Sequence, residues 1–324
     1  MTADRPVANR SDWLDRALLP AGAACLALAY GPLLVHWVRG WLTKDISIEH
    51  EYFSYGLIGL PFAAYLAWEK RSRWQQLADR SHPVGWGLLG LSVAFYLSGV
   101  ADWVNLSFPI ALWGLCGIWK GAAGWRLMAA PLIFTTLATP NEIPYLISPY
   151  VVGLQRFIAA MAGFLLNQVG LEAQVEGIYL YVRDRAVEVA PHCAGLKMLL
   201  TCWYVGLMAI YWCGTVRGRS PIALFLVGTT AISVLMNVFR NTILAYLHGT
   251  GQDGLFDFMH EGTGGDLYSA VMLLTVVLWF RVIERFVGDG LDAAPSPAKA
   301  APRSKPDPIA PEDEPEAAER DPDF

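Results

Sequence analysis

Three residues of the 324-residue sequence have types and surroundings suited to nucleophilic attack and proton transfer: Cys193, Arg240 and His260. Cys193 lies in Pro191-His192-Cys193-Ala194-Gly195-Leu196, where a polar segment runs into an apolar one. A thiol at the first turn of a helix meets unpaired N–H groups and a partial positive charge, and both push it toward the nucleophilic thiolate. A buried structural thiol is the bland alternative. Arg240 stands in Asn237-Val238-Phe239-Arg240-Asn241, far along the apolar stretch that begins at Pro221. An arginine at a bilayer centre costs at least about 2.5 kcal/mol, so this one must find water, a partner or the membrane surface. His260 belongs to Met259-His260-Glu261-Gly262-Thr263-Gly264-Gly265, a glycine-rich stretch expected to form a loop. Imidazole is the side chain best suited to moving protons near neutral pH. His192 and His248 compete for that role. His192 is the weaker of the two, because sequence neighbours on a helix point in different directions.

The elements that must position these groups are membrane helices. The chain is 54% hydrophobic and 16% charged, with a mean hydropathy of +0.36. Soluble domains carry about 25% charged residues. Apolar stretches run at 17–38, 52–68, 84–101, 104–119, 127–137, 149–169, 194–211, 221–247 and 267–280. A crossing needs about 20 apolar residues. The expected fold is therefore an all-α polytopic membrane protein with about eight transmembrane helices, one interfacial or re-entrant helix and a short extracytoplasmic β-hairpin. Residues 1–16 form a cytoplasmic N-terminus and 17–286 the membrane domain. Residues 287–324 form a disordered tail, rich in proline and alanine, in which ten acids face four bases. That tail accounts for the net charge of −5 and gives no reason to expect nucleic-acid binding.

Short loops rich in lysine and arginine stay in the cytoplasm. Lys70, Arg71, Arg73 and Arg80, then Lys120 with Arg126, then Arg217 with Arg219 mark three such turns. They alternate correctly only if the stretch 149–169 does not fully cross, which makes it the interfacial or re-entrant helix. Arg156, Asn167 and Gln168 also sit more easily at an interface. The segment Ala173–Ala190 clusters valine, isoleucine and tyrosine around Arg183-Asp184-Arg185 and reads as two short strands joined by one turn. Open strand edges cannot sit in lipid, so it belongs in water on the outer face. Arg240 is then about 29 Å above Pro221, and Cys193 about 34 Å above Val216, at 1.5 Å per residue. Two antiparallel helices would bring both groups to one outer level.

This combination resembles the exosortase/archaeosortase family of membrane cysteine transpeptidases. Val189-Ala190-Pro191-His192-Cys193-Ala194-Gly195-Leu196, Asn237-Val238-Phe239-Arg240 and His260-Glu261-Gly262-Thr263-Gly264 match its blocks in order. Tyr52-Phe53-Ser54-Tyr55-Gly56-Leu57-Ile58 with Pro61 is similar to its early motif, and Ile48–Phe53 is closest in style to the cyanobacterial branch. Two positions depart from the pattern: Ala194 where the family often has serine, and Tyr55 where it often has histidine. The resemblance implies that Cys193, Arg240 and His260 are catalytic, in the plasma (inner) membrane of a bacterium with the site extracytoplasmic. It implies as substrates exported proteins ending in a Pro-Glu-Pro-like motif, a membrane helix and a basic cluster. The acceptor nucleophile stays open.

No H-E-x-x-H, C-x-x-C or phosphate-cradling glycine loop occurs, so neither metal nor cofactor is expected. Cys25, Cys116, Cys202 and Cys213 lie in apolar stretches and read as small buried hydrophobes. The competing reading is a transporter or channel with a polar outer vestibule, which predicts polar groups spread through the bilayer depth.

Overall fold

The computed structural model describes residues 10–43, 52–189, 195–216, 218–260 and 262–292. Cys193, His192, Arg217, Glu261, the stretch Ile48–Glu51 and most of the tail fall outside them. The helices are α1 (Arg10–Thr43), α2 (Gly56–Glu69), α3 (Arg71–Gln76), α4 (Pro83–Leu97), α5 (Ala101–Ala138) and α6 (Ile143–Gln168). A sheet of β1 (Ala173–Glu176), β2 (Tyr179–Val182) and β3 (Arg185–Glu188) comes next. It leads to α7 (Leu196–Cys213), α8 (Arg219–Gly249), α9 (Asp253–His260) and α10 (Thr263–Asp292).

Five segments among the described residues are long and apolar enough to cross a membrane: 101–138, 149–168, 196–213, 219–249 and 263–286. The expected count of about eight treated 104–119 and 127–137 as separate helices. The structure keeps them as two helical halves of α5 that fold back on each other at Gly121, whose φ of 57° and ψ of −147° are non-helical, and Trp113 Nε1 of the first donates to Thr136 Oγ1 of the second at 3.2 Å. A Cβ there would come within 2.7 Å of the Arg80 carbonyl oxygen, so glycine is needed for space as well as conformation. The turn is where the basic residues gather. Lys120 Nζ pairs with Asp79 and donates to the Leu77 carbonyl, while Lys70 Nζ donates to Leu127 O at 2.9 Å. At the same end Thr215 donates to Glu284.

The opposite end is fixed by other contacts. The Tyr55 hydroxyl donates to Leu137 O at 3.1 Å and its ring stacks on Tyr204 at 4.6 Å. The Glu142 N–H donates to Asp102 Oδ1 at 2.9 Å, tying the start of α6 to the start of α5. The far end of α6 also attaches there. Asn167 exchanges two hydrogen bonds with the Ala173 backbone, and the sheet sits on the last turn of α8 through Val182 against Gly249. Both ends of this 26-residue helix thus reach the same end of the bundle, although 149–168 is long and apolar enough to cross. Its buried side chains, Gln155, Ile158, Ala159, Ala162 and Leu166, recur every three or four residues and mark one face.

The segment expected to be a two-stranded hairpin has three strands in the order β1-β2-β3, all antiparallel. Gly177, at φ +65°, supplies the positive φ that a two-residue turn requires at its first position, and it creates a second turn. Arg183 makes the other at φ +55°. Leu180 and Val182, each 1% exposed, hold the sheet to the helical core. Four-residue strands separated by two-residue turns leave no polar punctuation in Gly177-Ile178, so the run reads as one strand.

The cysteine expectation holds for Cys116 and Cys202, which are buried, and fails for Cys25 and Cys213, which are exposed. An apolar stretch in a bilayer has lipid as an alternative to the protein interior, so apolar sequence does not imply burial against protein.

Candidate active site

Helix α7 begins at Gly195, whose φ of +82° is a left-handed conformation that glycine adopts without strain. A Cβ on Gly195 would come within 2.8 Å of the Asn237 side chain. This close approach sets the level of the site. From Arg219 to Asn237, α8 rises about 27 Å, which is also the length of the 18-residue α7. The start of α7 therefore stands beside Asn237, one turn below Arg240. Helix α8 continues about 18 Å further to Gly249, and the sheet and α9 pack on that projecting part.

Arg240 is half-buried, and its Nη2 donates to the backbone carbonyl of His260 at 3.4 Å. Two of the three expected site residues are thus brought together, across 20 positions of sequence. Cys193 lies outside the described residues. The chain on either side of it is held: Gln155 Nε2 donates to Val189 O at 2.8 Å, and Gly195 stands against Asn237. Among the described residues, Arg240 Nε and Asn237 Nδ2 are buried donors with no hydrogen-bond partner. Buried polar groups are nearly always paired, and a pair of orphans one helical turn apart marks a place built for something else. Asn241 extends the polar face, donating from Nδ2 to Asn237 O at 2.9 Å.

His260 is not in a loop. It closes α9, an eight-residue helix that the glycines after it had obscured, and its ring stacks on Phe256 at 5.2 Å and 8°. The other face of this aromatic cluster is His248, 5.0 Å from Phe256. Phe256 and His260 are four residues apart, the spacing that puts two side chains on one helix face. That was the signal in the sequence, too short to stand out. His248 Nδ1 is 3.8 Å from Asp253 Oδ1, and Arg185 of β3 pairs with the same carboxylate. Arg185 beside it holds the Asp253 carboxyl below the usual carboxylate range. A cavity of about 210 Å³ lies between β3 and these rings, lined by Asn241, Leu244, His248 and His260 among others.

The early motif has a packing role. Tyr52, Phe53 and Tyr55 share one buried cluster with Val189, Leu196 and Val238, and so support the segments that flank Cys193 from beneath. Among the described residues no group of three or more His, Cys, Asp or Glu is arranged to hold a metal ion.

The transmembrane exosortase family model (Exosortase_EpsH) matches residues 37–277, about three quarters of the chain. The chain belongs to the exosortase family. The matched region begins within α1 and ends within α10, so it takes in α2 to α9, the sheet and all three candidate residues. No curated protein and no solved structure matches the chain. A membrane exosortase-like protein is therefore the identity on which the chemistry is built.

Proposed function

We propose that this exosortase cleaves the C-terminal sorting signal of exported proteins through a cysteine thioester, with Cys193 as nucleophile and His260 and Arg240 as its partners. The observation that carries the proposal is that, among the described residues, Asn237 Nδ2 beside Gly195 and Arg240 Nε one helical turn further along are buried donors without a hydrogen-bond partner. Cys193 is two residues from Gly195, a reach of at most about 7 Å along the chain. A nucleophile there has two fixed N–H donors close by, which is what a developing oxyanion needs.

In the reaction, the Cys193 sulfur attacks the scissile carbonyl carbon and the carbonyl oxygen takes up the negative charge. Arg240 and Asn237 stabilise that oxyanion. The C–N bond then breaks, and His260 hands the proton it took from the thiol to the departing amine. A thioester remains on Cys193, and an acceptor nucleophile or water releases the processed protein. The substrate is an exported protein with a Pro-Glu-Pro-like motif, a membrane helix and a basic cluster.

The bundle ends support an extracytoplasmic site in the inner membrane of a bacterium. Lys70, Lys120 and Arg219 all lie at the end opposite Gly195 and Arg240, and the positive-inside rule puts that end in the cytoplasm. With both its ends on the outer side, α6 lies obliquely in the interface. The transporter alternative fits less well. A cavity of about 510 Å³ among α1, α2, α3 and α5 is lined almost wholly by apolar side chains, whereas a more polar one of about 210 Å³ lies at the site end.

Replacement of Cys193 by alanine tests the reading. In proteoliposomes, Cys193→Ala is expected to abolish release of the tail from a Pro-Glu-Pro-tailed reporter, with the protein still folded. Undiminished release by that variant would eliminate the scheme.

A further inference from the structure

The sheet has two edges, and β3 forms one of them. In an antiparallel pair, successive residues alternate between facing the partner strand and facing away. Val182 and Arg185 close the two-residue turn, and Val189 N–H donates to Ile178 O at 2.9 Å. That register points the backbone of residues 185, 187 and 189 at β2. It points the N–H and C=O of Ala186 and Glu188 away from the sheet. No hydrogen bond among the described residues uses those four groups, and both residues are exposed. The free edge borders the 210 Å³ cavity, with Ala186 and Glu188 on one wall and His248, Phe256 and His260 on the other.

An unpaired edge is a template for another strand, and natural proteins usually cover it or blunt it with charge. Here no described residue pairs with it, and it borders a slot whose other wall bears His260. We propose that the slot binds the substrate's extended segment as a fourth strand, hydrogen-bonded to the N–H and C=O of Ala186 and Glu188. This rests on the sorting-signal reading above and names how the signal is held. Strand addition takes its affinity from main-chain hydrogen bonds, and only alternate residues of the incoming peptide face the sheet. A Pro-Glu-Pro stretch suits such an outermost strand. Its two prolines are two residues apart, so both nitrogens can face away from β3, where no N–H is needed, while the glutamate N–H faces inward. The peptide so placed runs along the wall bearing His260, which delivers its scissile bond to the proposed acid–base group.

The test uses the full-length protein in proteoliposomes and a reporter that carries a Pro-Glu-Pro stretch, a membrane helix and a basic cluster. Ala186→Pro removes the outward N–H and leaves the pairing with β2 intact; Arg185 before it is already extended, as a residue preceding proline must be. The expected result is a KM raised at least tenfold with kcat changed less than threefold. A KM for Ala186→Pro within twofold of the parent would overturn the proposal. Should that variant fail to fold, reporters with single amide-to-ester replacements serve instead. Losses at every second position support strand addition, and equal cleavage at all positions refutes it. Cleavage that persists in Cys193→Ala would instead refute the underlying reading, a separate outcome.

Discussion

Arg240 shows why an arginine is placed so deep in an apolar helix. Its Nη2 is occupied by the His260 carbonyl, whereas Nε has no partner among the described residues. A guanidinium anchored at one edge presents the other in a fixed direction, which a lysine cannot do. Arg240→Lys should therefore lower kcat by about a hundredfold or more, the range found when one oxyanion donor is lost. The thermal unfolding profile should barely change. Single-turnover cleavage rates check this, and a variant within threefold of the parent would show that charge alone suffices. Arg240 and His260 were legible in the sequence because an arginine in hydrocarbon and a histidine among glycines are each conspicuous. Asn237 was not. Its importance comes from Gly195, on which a Cβ would come within 2.8 Å of the Asn237 side chain, an approach between segments 42 residues apart.

Among the elements, the helices were readable from hydropathy, and the basic turn at Lys120 located the break that Gly121 makes. The small elements were not. Eight residues of α9 and three four-residue strands carry too little periodicity to separate from loops. They are held by tertiary contacts: Val182 on Gly249, Phe256 on His248 and His260, and Arg185 on Asp253. The last of these has a pH dependence. Asp253 has a depressed pKa in the folded protein, so its contribution is complete above the ordinary value of 3.8 and is lost as pH falls through the lower folded value. Spin labels on β1 and α9 should report one unchanged distance from pH 8 to pH 5, broadening only below about pH 4. Broadening already at pH 6 would contradict the assignment of Asp253 as the controlling group.

At the scale of the molecule, two ends of one bundle have different chemistry. One collects Lys70, Lys120 and Arg219 in short turns; the other carries the sheet, α9 and the unpartnered donors. The sequence alone indicated this polarity, because charge in loops and arginine depth are both local properties. The expectation that α6 stays at the interface also came from the basic turns, which alternate correctly only if 149–169 does not fully cross, although composition alone cannot distinguish a crossing 26-residue apolar helix from a flat one. Cysteine introduced at Asp253 should react with an impermeant thiol reagent in intact cells, and cysteine introduced at Ser81 should react only after the membrane is opened. The reverse pattern would invert the topology.

Covalent capture on the nucleophile tests the central claim most directly. After brief incubation with the tailed reporter and acid quench, mass analysis of the protein should find the processed acyl segment attached to Cys193 through a bond that neutral hydroxylamine removes. Cleavage that proceeds with no adduct on Cys193, or with the adduct on another residue, would contradict the account.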